Sequence, residues 1–186
     1  MGSFTEVQSN GVTAPPYVLC FILIITVSVL SDKYRMRGPF CALFAILSAI
    51  GFILLGTTDT VGPRYFGSFL VVLIFVTTSV ALVWNSNTNS TGSKKAGGLW
   101  IMMTVGQCGP LLGTNMFPDS DAPSYRTGLW VCCAFALLSA AAASLLSFLL
   151  LRENKRRDRI YGPVQLGQQV DMSSAESQEA GPRYII

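Results

Sequence analysis

Charged side chains divide the chain into five long uncharged windows. The windows cover residues 7–31, 38–58, 65–93, 96–118 and 127–151. A helix that rises about 1.5 Å per residue needs about 20 apolar residues to cross about 30 Å of hydrocarbon, and each window is long enough for this. The pattern therefore predicts an all-α polytopic membrane protein with five transmembrane helices.

Proline and turn-forming residues set the boundaries of the predicted helices. Pro15 and Pro16 are placed in the first turn of the first span, where a missing N–H leaves no helical hydrogen bond unmade. The polar, turn-prone run 85–92 ends the third span. The predicted spans are 15–30, 39–56, 65–84, 97–117 and 127–151. They divide the chain into an extracytoplasmic segment 1–14, a transmembrane domain 15–151 and a cytoplasmic tail 152–186, which is predicted to be disordered.

Lysine and arginine are distributed unequally between the two sides of this arrangement. The predicted connections are short, so neighbouring helices are antiparallel, and the side with more positive charge is cytoplasmic. One side has only Arg64 and Arg126 within its loops. The other has Lys33, Arg35, Arg37, Lys94, Lys95, Arg152, Lys155, Arg156, Arg157 and Arg159. We therefore expect a multi-pass plasma-membrane protein with its N-terminus outside and its C-terminus cytoplasmic, which leaves the glycosylation sequon at 89–91 in the cytoplasm.

Composition excludes several classes of function. Hydrophobic residues make up 51% of the chain and charged residues 12%, about half the charged fraction of a typical globular protein. The chain has no histidine, which rules out Ser-His-Asp catalysis and His-ligated metal sites. The net charge of +3 comes from short clusters, so nucleic-acid binding is not expected. All five cysteines fall in the apolar windows and are interpreted as buried small side chains, so no metal, cofactor or enzymatic activity is predicted.

The fourth predicted span has a polar face and a glycine face. At about 100° per residue, the polar face contains Thr104, Gln107, Thr114 and Asn115, and the opposite face contains Gly106, Gly109 and Gly113. The glycines predict close packing of a neighbouring helix. The polar residues are candidates for lining a cavity, and the alternative is that they form hydrogen bonds between helices. Pro110 removes one helical hydrogen bond, so this span can bend.

Small residues and leucines occupy different sides of the fifth predicted span. The small residues, which are expected to pack inward, are Ala136, Ala140, Ala143, Ser144 and Ser147. The leucines Leu138, Leu145 and Leu149 are expected to face lipid. No charged residue lies within any of the five predicted spans, so the sequence provides no obvious proton relay or ion ligand at membrane depth.

Four blocks of sequence resemble a known family. The run from Leu30 to Gly38 has an acidic residue followed by basic residues, and it is similar to the cytoplasmic signature of the major facilitator superfamily. Together with residues 14–17, 84–96 and 121–128, it resembles the second half of fungal anion:cation symporters, the allantoate permease group. The resemblance covers about residues 10–155. One departure is Ser28, four positions before Asp32, where the superfamily signature often has glycine.

The resemblance implies the carboxyl half of a twelve-span carrier, spans eight to twelve, whose first half is not part of this chain. It implies a secondary carrier of small organic anions that rocks one half against the other. Asp32 would then pair with Arg35 or Arg37, or with a helix N-terminus, and these residues with Lys33 would form a cytoplasmic gate. The alternative for the three basic residues is that they anchor the loop to lipid phosphates.

Two functions remain open from the sequence. The first is a transporter-derived chain that is not transport-competent alone and needs a first half to bind its organic anion. The second is a non-transporting membrane subunit or remnant that packs with another membrane protein or with a second copy of itself. In either case the lipid bilayer is the expected environment.

The expected orientation can be tested by cysteine labelling. A cysteine introduced in the 88–92 loop should resist an impermeant thiol reagent in intact cells, because the charge distribution places this loop in the cytoplasm. It should react after permeabilisation. A cysteine introduced next to Arg64 serves as the control and should react in intact cells; the reverse pattern would overturn the orientation.

Overall fold

The computed structural model describes residues 6–34, 36–88, 92–117 and 125–161, and these residues form helices joined by short connections. Seven helices lie within them: α1 Glu6–Tyr34, α2 Arg37–Thr57, α3 Val61–Val71, α4 Ile74–Thr88, α5 Gly92–Gly106, α6 Cys108–Met116 and α7 Arg126–Tyr161. Four stretches are long and apolar enough to cross a membrane: Gly11–Tyr34, Arg37–Thr57, Val61–Thr88 and Arg126–Arg156. The prediction of an all-α polytopic membrane fold is confirmed.

The fourth predicted span differs from a single transmembrane helix. It consists of α5, with 15 residues, and α6, with 9 residues, separated by a turn at Gln107. Pro110 has no N–H to donate to the carbonyl of Gly106, and a proline ring crowds that carbonyl, so the helix is interrupted one turn before the proline. The expected bend in this span is therefore a break between two short helices.

Three other boundaries also differ from the predicted ones. Helix α1 begins at Glu6, so Pro15 and Pro16 lie inside it instead of in its first turn. The third span is divided at Val72 and Leu73. Helix α7 continues past the predicted end of the domain at Leu151 to Tyr161, since Glu, Lys and Arg are good helix formers in water and Arg156 pairs with Glu153 one turn earlier.

Helix α2 lies at the centre of the bundle and packs against α3, α4 and most extensively α7. Its buried face is built largely from small residues, which are Gly38, Cys41, Ala42, Ala45, Ser48, Ala49, Gly51 and Gly56. The facing side of α7 also has small residues, with Cys133, Ala136, Ala140, Ala143 and Ser147 buried. Small side chains allow two helix backbones to approach closely, and in lipid this packing replaces the hydrophobic effect as the source of helix association.

The stripe of small residues predicted for α7 is observed with one exception. Ala140 is buried, whereas Ser144 is exposed and donates a hydrogen bond to the carbonyl of Ala140 at 2.8 Å. Leu138, Leu145 and Leu149 are 63%, 60% and 51% exposed, as expected for residues that face lipid.

The closest contact between α2 and α3 is made at two glycines. A Cβ atom added to Gly51 would lie 2.7 Å from the backbone nitrogen of Val71 and 2.7 Å from the Cβ of Leu70. Gly67 lies on the other side of this contact, where an added Cβ would be 3.3 Å from the carbonyl oxygen of Gly51. Backbone atoms cannot rotate away as a side chain can, so Gly51 requires glycine for this separation of the helices, and Gly67 makes a tight fit on the other side.

The turn between α3 and α4 is buried, and its backbone groups have partners on other helices. Phe75 donates its N–H to Val72 at 3.1 Å, one residue short of the usual helical acceptor Val71. The freed carbonyl of Val71 accepts a hydrogen bond from the Ser48 hydroxyl of α2 at 3.2 Å. The carbonyl of Val72 also accepts from the thiol of Cys20 at 3.3 Å. These contacts compensate the irregular backbone inside the apolar core.

Replacing Gly51 should test the close packing of α2. Gly51→Ala would place a methyl group against the α3 backbone, and we expect a loss of about 1–3 kcal/mol of stability, measured by thermal unfolding in detergent. Gly109→Ala is the matched control because a Cβ at Gly109 meets nothing within 4 Å. An equal loss in both variants would show that the α2–α3 contact does not determine stability.

Candidate functional site

The connection between α1 and α2 holds the charged cluster singled out in the sequence. Asp32 lies in the last turn of α1, and Arg37 is the first residue of α2. Their side chains form an ion pair. The Arg37 side chain is 6% exposed while that of Asp32 is 60% exposed, so the pair joins a buried cation to a carboxylate at the surface. A buried guanidinium is costly unless its N–H groups are paired, and Asp32 provides part of that pairing.

Asn87 of α4 provides the rest of the pairing for Arg37. With its amide oxygen facing the guanidinium, Asn87 accepts hydrogen bonds from Nη1 at 2.6 Å and from Nη2 at 2.8 Å. The cluster therefore connects three helices through one side chain. Asn87 is not among the residues that the sequence pattern singles out, although it belongs to the polar run that ends the third predicted span, on the same side as the Asp32 loop.

The polypeptide around the cluster is held tightly. Ser31 is buried, and Met36 donates its N–H to the carbonyl of Ser31 at 3.3 Å. A Cβ at Gly38 would lie 2.9 Å from the Cβ of Ser147 on α7 and 2.9 Å from the indole of Trp84 on α4. The start of α2 is thus packed directly against α4 and α7, and a shift of either helix would change the surroundings of Arg37.

The other residues proposed for this loop have different positions relative to the ion pair. Of the two possible partners for Asp32, the observed one is Arg37. Lys33 is exposed, and Arg35 lies outside the described residues.

A second ion pair lies at the opposite end of the bundle. Arg126 Nη2, at the start of α7, is 3.1 Å from each carboxylate oxygen of Asp59, which lies between α2 and α3. Both side chains are more than half exposed, so this pair contributes little to stability. Close packing is found beside it, where a Cβ at Gly128 would lie 2.7 Å from the carbonyl oxygen of Met116. This contact attaches the end of α6 to α7.

The candidate cavity-lining residues are not brought together. Thr104 lies on α5, Gln107 at the break, and Thr114 and Asn115 on α6, and all four are exposed. Thr114 and Asn115 donate hydrogen bonds to the carbonyl of Leu111 in their own helix, at 2.9 and 3.1 Å. The polar face of this span is therefore open within the described chain.

The glycine face of the same span is also open. A Cβ added at Gly106, Gly109 or Gly113 meets nothing within 4 Å. The described part of the chain supplies no neighbour for this face, so the predicted close packing of these glycines stays a prediction.

A large cavity lies elsewhere, between α2, α4, α5 and α7. It has a volume of about 850 Å³ and is lined by apolar side chains together with a few hydroxyl and amide groups. Thr77 lines it and is buried. No charged residue is among the lining residues found in the described chain, and none of the four predicted cavity-lining residues is among them. The described residues also contain no group of three or more His, Cys, Asp or Glu side chains placed to hold a metal ion.

Comparison with known proteins identifies related chains. The sequence is 29% identical over 84% of its length to the high-affinity nicotinic acid transporter of Saccharomyces cerevisiae. It is 28% identical over 86% of its length to the MFS-type transporter efuF of Hormonema carpetanum, and 23% identical over 98% to the major facilitator-type transporter hxnP of Emericella nidulans. The chain is related to major facilitator-type transporters.

These transporters are considerably longer than the chain. The chain spans 30% of the nicotinic acid transporter, 33% of efuF and 38% of hxnP. No protein-family model and no solved structure matches it. The relatives are transporters and not enzymes, and with the four long apolar helices they establish an integral, multi-pass transmembrane protein with a lipid environment.

The contribution of the Arg37 cluster to this transporter-related fold can be measured by substitution. Arg37→Gln should lower the free energy of unfolding by about 2–3 kcal/mol, because hydrogen bonds to a charged group contribute about 1.5–3 kcal/mol each and the smaller amide cannot reach both partners. Lys33→Gln removes an exposed charge from the same turn and should change stability by less than about 0.5 kcal/mol. Thermal unfolding in one detergent would compare them. Equal stability of the two variants would mean that the buried guanidinium does not hold the three helices together.

Proposed function

We propose that the chain forms the carboxyl half of a secondary carrier of small organic anions, of the allantoate permease group within the major facilitator superfamily. The observation that carries this proposal is an alignment that covers 84% of the chain. The aligned protein is a transporter named for nicotinic acid, which is a small carboxylate. Four sequence blocks typical of fungal anion:cation symporters support the same group. The four long apolar helices, together with the interrupted span formed by α5 and α6, match in number and order the five spans eight to twelve of such a carrier.

The Asp32–Arg37–Asn87 cluster is proposed as a cytoplasmic gate in the complete carrier. Three features support this role: Arg37 is buried, its partners lie on α1 and α4, and the start of α2 is packed against α7. Movement of α4 relative to α1 would break contacts on one side of the guanidinium and expose its charge. The cluster would thus favour one arrangement of these helices and release them at a cost of a few hydrogen bonds. Lys33 and Arg35 would contribute the remaining positive charge of the loop.

The open faces of α5 and α6 are proposed to be completed by the other half of the carrier. Transporters of this kind bind substrate between two halves. Thr104, Gln107, Thr114 and Asn115 expose hydroxyl and amide groups that can donate hydrogen bonds to a carboxylate. Gly106, Gly109 and Gly113 leave room for a helix backbone on the other side of the span. Under this proposal the chain alone has half of a binding site and does not transport.

The alternative function is a membrane subunit that does not transport and packs with another membrane protein or a second copy of itself. The same open faces would then be the contact surface. Substrate uptake distinguishes the two functions, because only the carrier hypothesis requires an organic anion.

Reconstitution provides the test. Liposomes containing the purified chain should accumulate no more labelled nicotinate than empty liposomes, because half of the site is missing. Liposomes containing the chain fused behind spans one to seven of the yeast nicotinic acid transporter should accumulate it when an ion gradient is applied. The control fusion carries Arg37→Gln and should transport more slowly. Uptake by the chain alone would refute the half-site, and a fusion that transports cations or neutral solutes but no carboxylate would refute the substrate class.

A further inference from the structure

Helix α7 continues beyond its last leucine, Leu151, with a basic face. Taking about 100° per residue, four cationic residues lie within an arc of about 100° along two turns of the helix. These residues are Arg152, Lys155, Arg156 and Arg159. All four are exposed. Their Cα atoms span about 10 Å along the helix axis, so the face presents several charges at increasing distance from the apolar part of α7.

One carboxylate borders this face among the side chains that the structure describes. Glu153 lies at its edge and is 3.5 Å from Arg156. Subtracting this carboxylate from the four cations leaves an excess of three positive charges. A concave surface runs along the same residues, from Leu149 to Ile160. The face therefore combines concentrated positive charge with a bounding apolar side chain at each end.

On the same side of α7, about one to two turns earlier, the exposed side chains are apolar. Leu145, Phe148 and Leu149 lie within about 60° of Arg152 around the helix axis. All three are more than half exposed. An occupant of this face therefore meets apolar side chains at its lower end and cations at its upper end. Phospholipids have this distribution of apolar and anionic groups, with long acyl chains at one end, whereas RNA has no acyl chains.

We propose that this face of α7 binds a polyanionic phospholipid, with the acyl chains against Leu145, Phe148 and Leu149 and a headgroup bearing more than one phosphate against the four cations. A single phosphate at the membrane surface would reach Arg152 and Arg156. Lys155 and Arg159 lie on the same arc, and Arg159 is slightly less than one turn beyond Arg156, a position suited to phosphates further out on an inositol ring. The proposal concerns lipid binding alone and does not depend on transport.

The lipid preference can be measured with the full chain in phosphatidylcholine vesicles. Spin-labelled phosphatidylinositol bisphosphate and spin-labelled phosphatidylcholine, added separately, give the association of each lipid with the protein surface. The bisphosphate lipid should associate more strongly with the unmodified chain. The variant Lys155→Gln with Arg159→Gln should lose this preference by about fivefold or more, because each basic residue near an anionic surface contributes about fivefold to binding.

Matched variants separate this face from general positive charge. Lys94→Gln with Lys95→Gln removes two charges from the start of α5 and should change the preference by less than about twofold. Glu153→Gln raises the charge of the face and should strengthen the preference, and it keeps the test available if the α7 double variant fails to fold. The proposal is wrong if the two double variants lose the preference equally, or if the unmodified chain shows none. Displacement of the bisphosphate lipid by an RNA or acidic peptide of equal charge would also overturn it, assigning the face to a soluble polyanion.

Discussion

The bundle depends on the close approach of α2 to its neighbours. In a bilayer, apolar side chains gain no hydrophobic free energy by leaving lipid for protein, so helices associate through backbone proximity and buried hydrogen bonds. Helix α2 uses both. Gly51 touches the backbone of α3, Gly38 lies against α4 and α7, and Ser48 donates to the carbonyl freed by the turn before α4. The remaining helices are arranged around this small-residue surface.

The buried arginine follows from the same packing. Because α2 begins in contact with α4 and α7, its first side chain has no access to water and finds partners within the protein. Asp32 from the preceding helix and Asn87 from α4 supply them. The buried charge, which would be costly without partners, thereby connects three helices. The Arg37 contacts lie next to the close packing at Gly38. The effects on stability of substitutions at these two positions are therefore not expected to be additive.

The sequence predicts the membrane class and most of the helices because long windows without charge leave few alternatives to a spanning helix. It also predicts which side of α7 is small and which is leucine-rich. It does not predict Asn87, since hydrogen bonding to Arg37 depends on how α2 and α4 meet, and these two residues are far apart along the chain. The sequence predicts a bend in the fourth span, whereas the structure has two separate helices that meet at Gln107. The presence of Pro110 in an apolar window does not reveal whether the helix bends or is divided there.

The contact of Gly38 with Ser147 has a consequence for biosynthesis. The two residues are 109 positions apart (147 minus 38), so the ribosome needs about 5–20 s after making one to make the other. During that interval the small-residue face of α2 has no α7 to cover it, and Gly38 lacks its final support. The nascent chain therefore waits in the translocation machinery or in lipid with its central helix incompletely packed. Ribosomal pausing or early termination before α7 would leave that helix exposed to the quality-control proteases of the membrane.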